Sequence, residues 1–130
     1  MGIFGALNTS ATGLHVYRTW LDAVSDNIAN VSTARSTAEN AFQARYVVAA
    51  AGQGLSGVGV TGIALGSAQG RLVHEPGNPL ADANGMVRYP DIDMGEQMTQ
   101  LLMAQRSYQA NISVVSRMTD AYRAALELGK

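Results

Sequence analysis

The groups in this chain that could do chemistry are few: two histidines, ten acidic side chains and one glycine cluster with a nucleotide-binding spacing. Gly52-Gln53-Gly54-Leu55-Ser56-Gly57 matches G-x-G-x-x-G and follows a strand-like run. A dinucleotide site needs a helix N-terminus directly after those glycines, so that backbone N–H groups meet the pyrophosphate. Here Val58-Gly59-Val60-Thr61-Gly62 follows, which is strand-like and too rich in glycine for a helix. The cluster is therefore expected to be a turn, and Glu75, near the distance of a ribose-binding acid, a coincidence.

His15 and His74 are too few for a three-histidine zinc site, and the absence of cysteine removes thiolate ligands, thiolate nucleophiles and disulfides. A mixed site would have to draw on His74, Glu75 and Asp82, or on Asp91 and Asp93. His15, beside Tyr17 and Arg18, reads as a solvated helix-surface residue. His74 and Glu75 are adjacent on a strand and point to opposite faces. Asp91 and Asp93 are accounted for by a helix start, and no serine or threonine sits in a nucleophile elbow. The expectation is no catalytic residue, no metal, no cofactor and no small-molecule substrate.

At 130 residues the chain is one domain by length, and 47% hydrophobic content with a net charge of -1 fits a foldable chain. Eight of its nine basic residues are arginines scattered from Arg18 to Arg123, with no run that could follow a phosphate backbone, so no nucleic-acid partner is expected. The segment from Met1 to Gly13 has neither the charged start nor the apolar core of a cleavable signal peptide. The uncharged run from Tyr46 to Gly70 carries seven glycines and reads as β structure rather than a membrane span.

The elements that must position everything else lie at the two ends. Met94, Leu101, Tyr108, Val115 and Tyr122 recur every seventh residue, and Met98, Gln105, Ile112, Thr119 and Leu126 lie four further on. With no proline from Asp91 to Lys130, this predicts one helix of about 35 residues and about 50 Å. It starts at Asp91 or Asp93, with Asp93 and Glu96 spaced as a capping box, and ends at a C-cap Gly129 followed by Lys130. At the other end Leu7, Leu14, Leu21 and Ile28 repeat every seven residues, with Ser10, Tyr17, Val24 and Val31 three further on. Asn8, Thr9 and Ser10 offer N-cap oxygens, and Asn30 offers a left-handed stop.

Between the helices, Ser32 to Gln43 reads as a mobile loop. Arg45 to Ala51 reads as a strand, and the segment after the glycine turn as its hairpin partner, with Val58 and Val60 on one face and Thr61, Ile63 and Leu65 on the other. Arg71 to His74 and Met86 to Tyr89 are two further short strands, joined by turns at Glu75 to Pro79 and Ala81 to Gly85. The fold class is mainly α with a small β insertion, the long terminal helices pairing as a coiled coil around a short antiparallel β module. Residues 1–33 and 91–130 form one discontinuous helical domain, and residues 34–90 the inserted loop and hairpin.

Ser25-Asp26-Asn27-Ile28-Ala29-Asn30-Val31-Ser32-Thr33 resembles the S-x-N-[IL]-A-N-x-x-T motif near the start of bacterial flagellar rod and hook proteins. Glu75-Pro76-Gly77-Asn78-Pro79-Leu80-Ala81-Asp82, Gly85 to Asp93 with Pro90 inside it, and Arg106-Ser107-Tyr108-Gln109-Ala110-Asn111 are similar to signatures of a short proximal-rod member. The matching residues are thus Asn27, Ala29, Asn30, Thr33, Pro76, Gly77, Pro79, Asp82, Gly85, Pro90, Arg106, Tyr108, Gln109 and Asn111. Two departures stand out: Ala34 to Phe42 replaces the usual continuation after Thr33, and Asn78 stands where histidine is common.

The resemblance implies a structural subunit of the proximal rod of the flagellar basal body, a homo-oligomer that also contacts other rod proteins. It implies a hollow tube that transmits torque, lined by the terminal helices. Delivery through the flagellar type III export apparatus without a cleaved signal and assembly in the periplasm follow from the same likeness. Subunit packing would fall to Leu7, Leu14, Tyr17, Leu21, Val24 and Ile28 of the first helix. On the last it would fall to Met98, Leu101, Leu102, Tyr108, Ile112, Val115, Met118, Tyr122 and Leu126, with the flanks at Leu102, Val114 and Met118 left for neighbours. Gln105 and Thr119 are candidates for setting register between subunits. The alternative is a helical-hairpin adaptor that binds one partner helix without polymerising.

Overall fold

The computed structural model describes residues 2–54 and 57–129, the side chain of Ile3 excepted. Leu55 and Ser56 of the glycine cluster, and Met1 and Lys130 at the ends, lie outside the described residues. The elements follow in the order α1 (Ile3–Asn30), β1 (Arg45–Ala51), β2 (Val58–Leu65), β3 (Arg71–His74), β4 (Met86–Tyr89) and α2 (Met94–Leu128). Two long terminal helices with small antiparallel sheets between them is the expected class.

Helix α1 begins more than a turn before the expected caps. Gly2 is its N-cap, in extended conformation and with no side-chain cap. Asn8, Thr9 and Ser10 are helical instead, and the Thr9 hydroxyl donates back to the Gly5 carbonyl at 3.0 Å. Tertiary packing explains the early start: the Phe4 ring meets Tyr122 of α2 edge-on, centroids 5.4 Å apart, and holds the first turn in place. The other end also departs from expectation. Among the described residues no non-glycine has positive φ, and the C-cap Val31 is right-handed. Asn30 serves through its side chain, donating to the Asp26 carbonyl and accepting from the Thr33 hydroxyl.

The segment expected to be a mobile loop is pinned at several points. Arg35 exchanges two backbone hydrogen bonds with Arg88 at 2.8 and 2.9 Å. The N–H of Ala41 donates to the Ala68 carbonyl, and Ala41 and Ala44 are buried. Its small residues, which looked like a mark of looseness, are what let the chain run closely against other backbone.

Strands β1 and β2 form one antiparallel hairpin and β3 with β4 a second, separate two-stranded sheet. The glycine cluster is the turn of the first hairpin, closed by Gly52 N–H donating to the Gly57 carbonyl. Strand β2 follows, so the helix a dinucleotide site requires is missing. The pairing skips a residue: Val48 faces Gly62 and Ala49 faces Val60, leaving Thr61 as a bulge. The bulge moves Ile63 and Leu65 to the side of Val47, Val58 and Val60, correcting the expected assignment of faces. In the second hairpin Gly85 has φ +73, and a Cβ there would come within 3.0 Å of His74 Nε2, so a side chain is excluded by conformation and by space.

Helix α2 starts at Met94 on the N-cap Asp93, whose Oδ1 accepts from Glu96 N–H at 2.7 Å. The Glu96 carboxylate accepts from Gln100 one turn on. Gly129 is the C-cap, but with φ -88 rather than the left-handed value. Among the described elements, α1 alone touches both α2 and the β1–β2 hairpin. The core follows that arrangement, with Val16, Ala23 and Val24 on α1, Ala104 on α2, Val87 on β4 and Ile92 just before α2.

Candidate functional site

The seam between α1 and α2 is antiparallel. Phe4 meets Tyr122, the Asn111 amide donates to the Ser10 carbonyl at 2.7 Å, and Asn27 donates to Gln97 Oε1 at 2.9 Å. Gly13 leaves room where Asn111 crosses: a Cβ there would lie 2.7 Å from Asn111 Nδ2 and would displace the amide from its bond to Ser10. Trp20 donates its indole N–H to the side-chain Oε1 of Gln100.

Asn27 is the junction of three elements. Its Nδ2 donates both to Gln97 and to the Arg45 carbonyl, while its Oδ1 accepts from Arg45 N–H at 2.8 Å. The side-chain amide thus pairs with the first residue of β1 as a neighbouring strand would, and Asn27 and Gln97 are 0% and 1% exposed. Buried amides are tolerated when their hydrogen-bonding groups are engaged, and here both ends of the Asn27 amide and Gln97 Oε1 are. The nearby Asp26–Arg45 ion pair at 2.6 Å is half exposed and contributes little beside it.

The sequence-predicted packing residues divide between buried seam and open face. Leu7, Leu14, Tyr17, Leu21 and Ile28 are half-buried and Val24 is buried; on α2 Leu101, Tyr108, Val115 and Tyr122 are half-buried. The second row of α2 is out of phase with expectation: Met98, Gln105, Ile112 and Leu126 are exposed. The seam takes Gln97, Ala104, Asn111 and Met118 instead, three residues on from the first row rather than four. Gln105 therefore does not face α1, and the Thr119 hydroxyl bonds its own helix at Val115. The flanks at Leu102 and Val114 are open as expected, 54% and 45% exposed, whereas Met118 is half-buried.

Family-motif residues outside the seam have structural tasks of their own. The Asp82 carboxylate accepts from the N–H groups of Met86 and Asn84 and from the Thr37 hydroxyl. The Met86 bond above all holds its pKa below the usual carboxylate value. The Tyr89 hydroxyl donates to Glu75, which pushes the phenol above its usual range. Asn78, at the position where histidine is common, caps this turn by donating to Glu75 and accepting from Leu80 N–H. Pro90 is fully buried, while Ala29, Pro76, Gly77, Pro79, Arg106 and Gln109 are exposed. Among the described residues no three histidine, aspartate or glutamate side chains come together to hold a metal, and no helix is long and apolar enough to cross a membrane.

Gly13, Trp20, Gln97 and Ala104 escaped the sequence reading. Their signal was present, since Gln97, Ala104, Asn111 and Met118 also recur every seventh residue. Hydropathy discounts amides and small side chains, so a larger apolar row nearby outweighed them.

The fold defines a terminal-helix protein, in which the first and last segments pair and the middle is carried between them. Residues 83–128 match the family model of the flagellar basal body rod FlgEFG protein C-terminal region. The whole chain is 34% identical to flagellar basal-body rod protein FlgC of Salmonella typhimurium, covering 100% of both chains. It is 30% identical to FlgC of Bacillus subtilis, again over 100% of each, and 38% identical to FlgC of Agrobacterium fabrum over 96% of this chain and 94% of that one. The chain belongs to the FlgC family of flagellar basal-body rod proteins.

Proposed function

We propose that this chain, a structural subunit of the flagellar basal-body rod, enters the rod through the face of α2 that α1 leaves open. One observation carries this: Met98, Leu102 and Ile112, which share one side of α2 by helical spacing, are 44–54% exposed, and Val114 and Leu126 are open on its other sides. Single exposed apolar residues need no explanation, but this many on one helix is a surface suited to other chains. Copies of this chain and neighbouring rod proteins are the partners this face would take. Repetition of one such contact by a rotation and a rise builds a helical tube.

On this reading residues 1–33 and 91–130 act as one discontinuous helical domain lining the channel, and residues 34–90 face outward. The role is mechanical rather than catalytic: transmission of torque and passage of exported subunits. The chain reaches the periplasmic part of the basal body through the flagellar type III apparatus without a cleaved signal peptide. Ordering of the helix ends is coupled to association, since the last turns of α2 run past the start of α1.

The test is complementation of a strain lacking this gene. The intact chain restores rods and swimming, while Leu102→Asp yields a folded, secreted subunit that builds no rod. Swimming restored to normal by Leu102→Asp would remove the proposed face from the interface. Amide exchange in the dilute chain is expected to be fast toward both termini, and slow, uniform exchange there would count against association-coupled ordering.

The adaptor reading has one observation in its favour. An apolar cavity of about 340 Å³ opens between α1 and the first hairpin, lined by Val16, Tyr17, Trp20, Val47, Ala49 and Val58, and could take a partner's side chain. An adaptor would form a complex of fixed, small size, whereas a rod subunit sediments with the basal body.

A further inference from the structure

The polar contacts of the helix seam are spaced in a way that bears on how α1 and α2 find one alignment. Gly13 and Asn27 lie fourteen residues apart on α1, and their partners Asn111 and Gln97 lie fourteen apart on α2. In an antiparallel pair, equal steps in opposite directions keep one phase, so both contacts belong to the same register. Midway, seven residues from each, stand Trp20 on α1 and Ala104 on α2, the latter 0% exposed. By that count Trp20 falls opposite Ala104, while its indole N–H reaches Gln100 Oε1 one turn away, so the three layers set glycine against an amide, a large side chain against a small one, and an amide against an amide.

A slip of α2 by one heptad breaks every layer. Moved one way, Ala104 stands against Asn27, Asn111 against Trp20 and Met118 against Gly13. Moved the other way, Gln97 stands against Trp20, and Asn27 faces the region of Pro90, before the helix begins. The apolar row Leu101, Tyr108, Val115 and Tyr122 discriminates less, because along most of its length a slip replaces one large apolar residue with another. A slipped pair would keep the Asn27 bonds to Arg45 but leave the N–H it donates to Gln97 buried without a partner, and polar seam residues specify register through that penalty.

We infer that Asn27 and Gln97 are positioning residues that set the register of α2 on α1, with the Gly13–Asn111 crossing as a second check. Asn27 also holds the N–H and carbonyl of Arg45, so the same side chain fixes α2 relative to the first hairpin. The register in turn decides where Leu102 and Ile112 stand relative to the strands. The inference does not depend on the rod reading, and its test is made on the free chain.

The chain has no native cysteine, so spin labels attach only where cysteines are introduced. Asp22→Cys and Ser113→Cys place labels on exposed positions of the two helices, offset along the axis. With labelled chain diluted in excess unlabelled chain, the parent gives one distance. Asn27→Leu with Gln97→Leu is expected to add a second population, displaced along the axis by about 10 Å, the rise of one heptad. The exchanged pair Asn27→Gln with Gln97→Asn keeps two facing amides and retains the parent distance. A leucine pair that keeps the single parent distance overturns the inference, as does an exchanged pair that slips as fully as the leucines do. If the leucine pair does not fold, Gln97→Leu alone supplies the same readout, and a single parent distance there overturns the inference equally.

Discussion

The two terminal helices differ in how many sides they present to their own chain. Helix α1 has α2 along one side and the β1–β2 hairpin along another, and it buries Val16, Ala23, Val24 and Asn27. Helix α2 is the longer at 35 residues, yet fully buries only Gln97 and Ala104. Length and burial have thus been separated. The shorter helix is the spine of the monomer, and the longer one spends much of its apolar surface outside it. A helix stabilised from one side alone depends on what packs against that side, so changes on α1 should register in the folding of the free chain and changes on the open face of α2 in assembly.

The largest expected effect tests that division directly. Val24→Asp puts a charge at a position 1% exposed, with no partner at hand, and should cost about 3–5 kcal/mol in urea unfolding. Leu102→Asp should change the stability of the free chain by no more than about 0.5 kcal/mol. Equal losses from the two would erase the distinction between spine and open face. Next comes Asn27→Ala, which strips partners from Gln97 and from both backbone groups of Arg45 and should cost about 2–3 kcal/mol. If its loss is no larger than that of an exposed substitution on α1, such as Ala29→Ser, the three-element junction has been overvalued.

A smaller effect is expected at the start of α2, where one carboxylate acts as cap. Asp93→Ala should cost about 1 kcal/mol, seen as a lower unfolding midpoint and faster amide exchange confined to the first turn. The smallest lies outside both helices. Asp82 is held below its unfolded value of 3.8 chiefly by the Met86 N–H. Its contribution to stability is therefore complete above that value and is lost as pH falls through the lower folded one. Asp82→Asn should flatten the stability-versus-pH curve in that acid window, and an unchanged curve would mean the carboxylate does not hold the second hairpin.

The boundaries of all four strands were legible because turn chemistry is local: glycine, proline and asparagine restrict the backbone wherever they stand. The existence of both helices was legible from their seven-residue repeats. The seam of α2 was not, because α2 carries more apolar residues than one interface can use. Counting them cannot say which row α1 takes, and Ala104 and Gln97 won their places by size and hydrogen bonding. The facing of β2 failed for a different reason, since one bulged residue at Thr61 reverses an alternation that is otherwise sound. The start of α1 was missed because Phe4 is held by Tyr122, a partner at the far end of the chain.

That last contact has a consequence for the order of events. The Phe4 ring can find Tyr122 only after nearly the whole chain has left the ribosome or any channel it passes through. The seam closes first near Asn27 and Gln97 and later at Ser10 and Asn111, and the start of α1 waits on a loop spanning almost the full sequence. The hairpins, whose partners are near in sequence, are free to form earlier. Zipping of the two ends is therefore a terminal event in the life of each copy, and a chain cut short before Tyr122 never forms that contact.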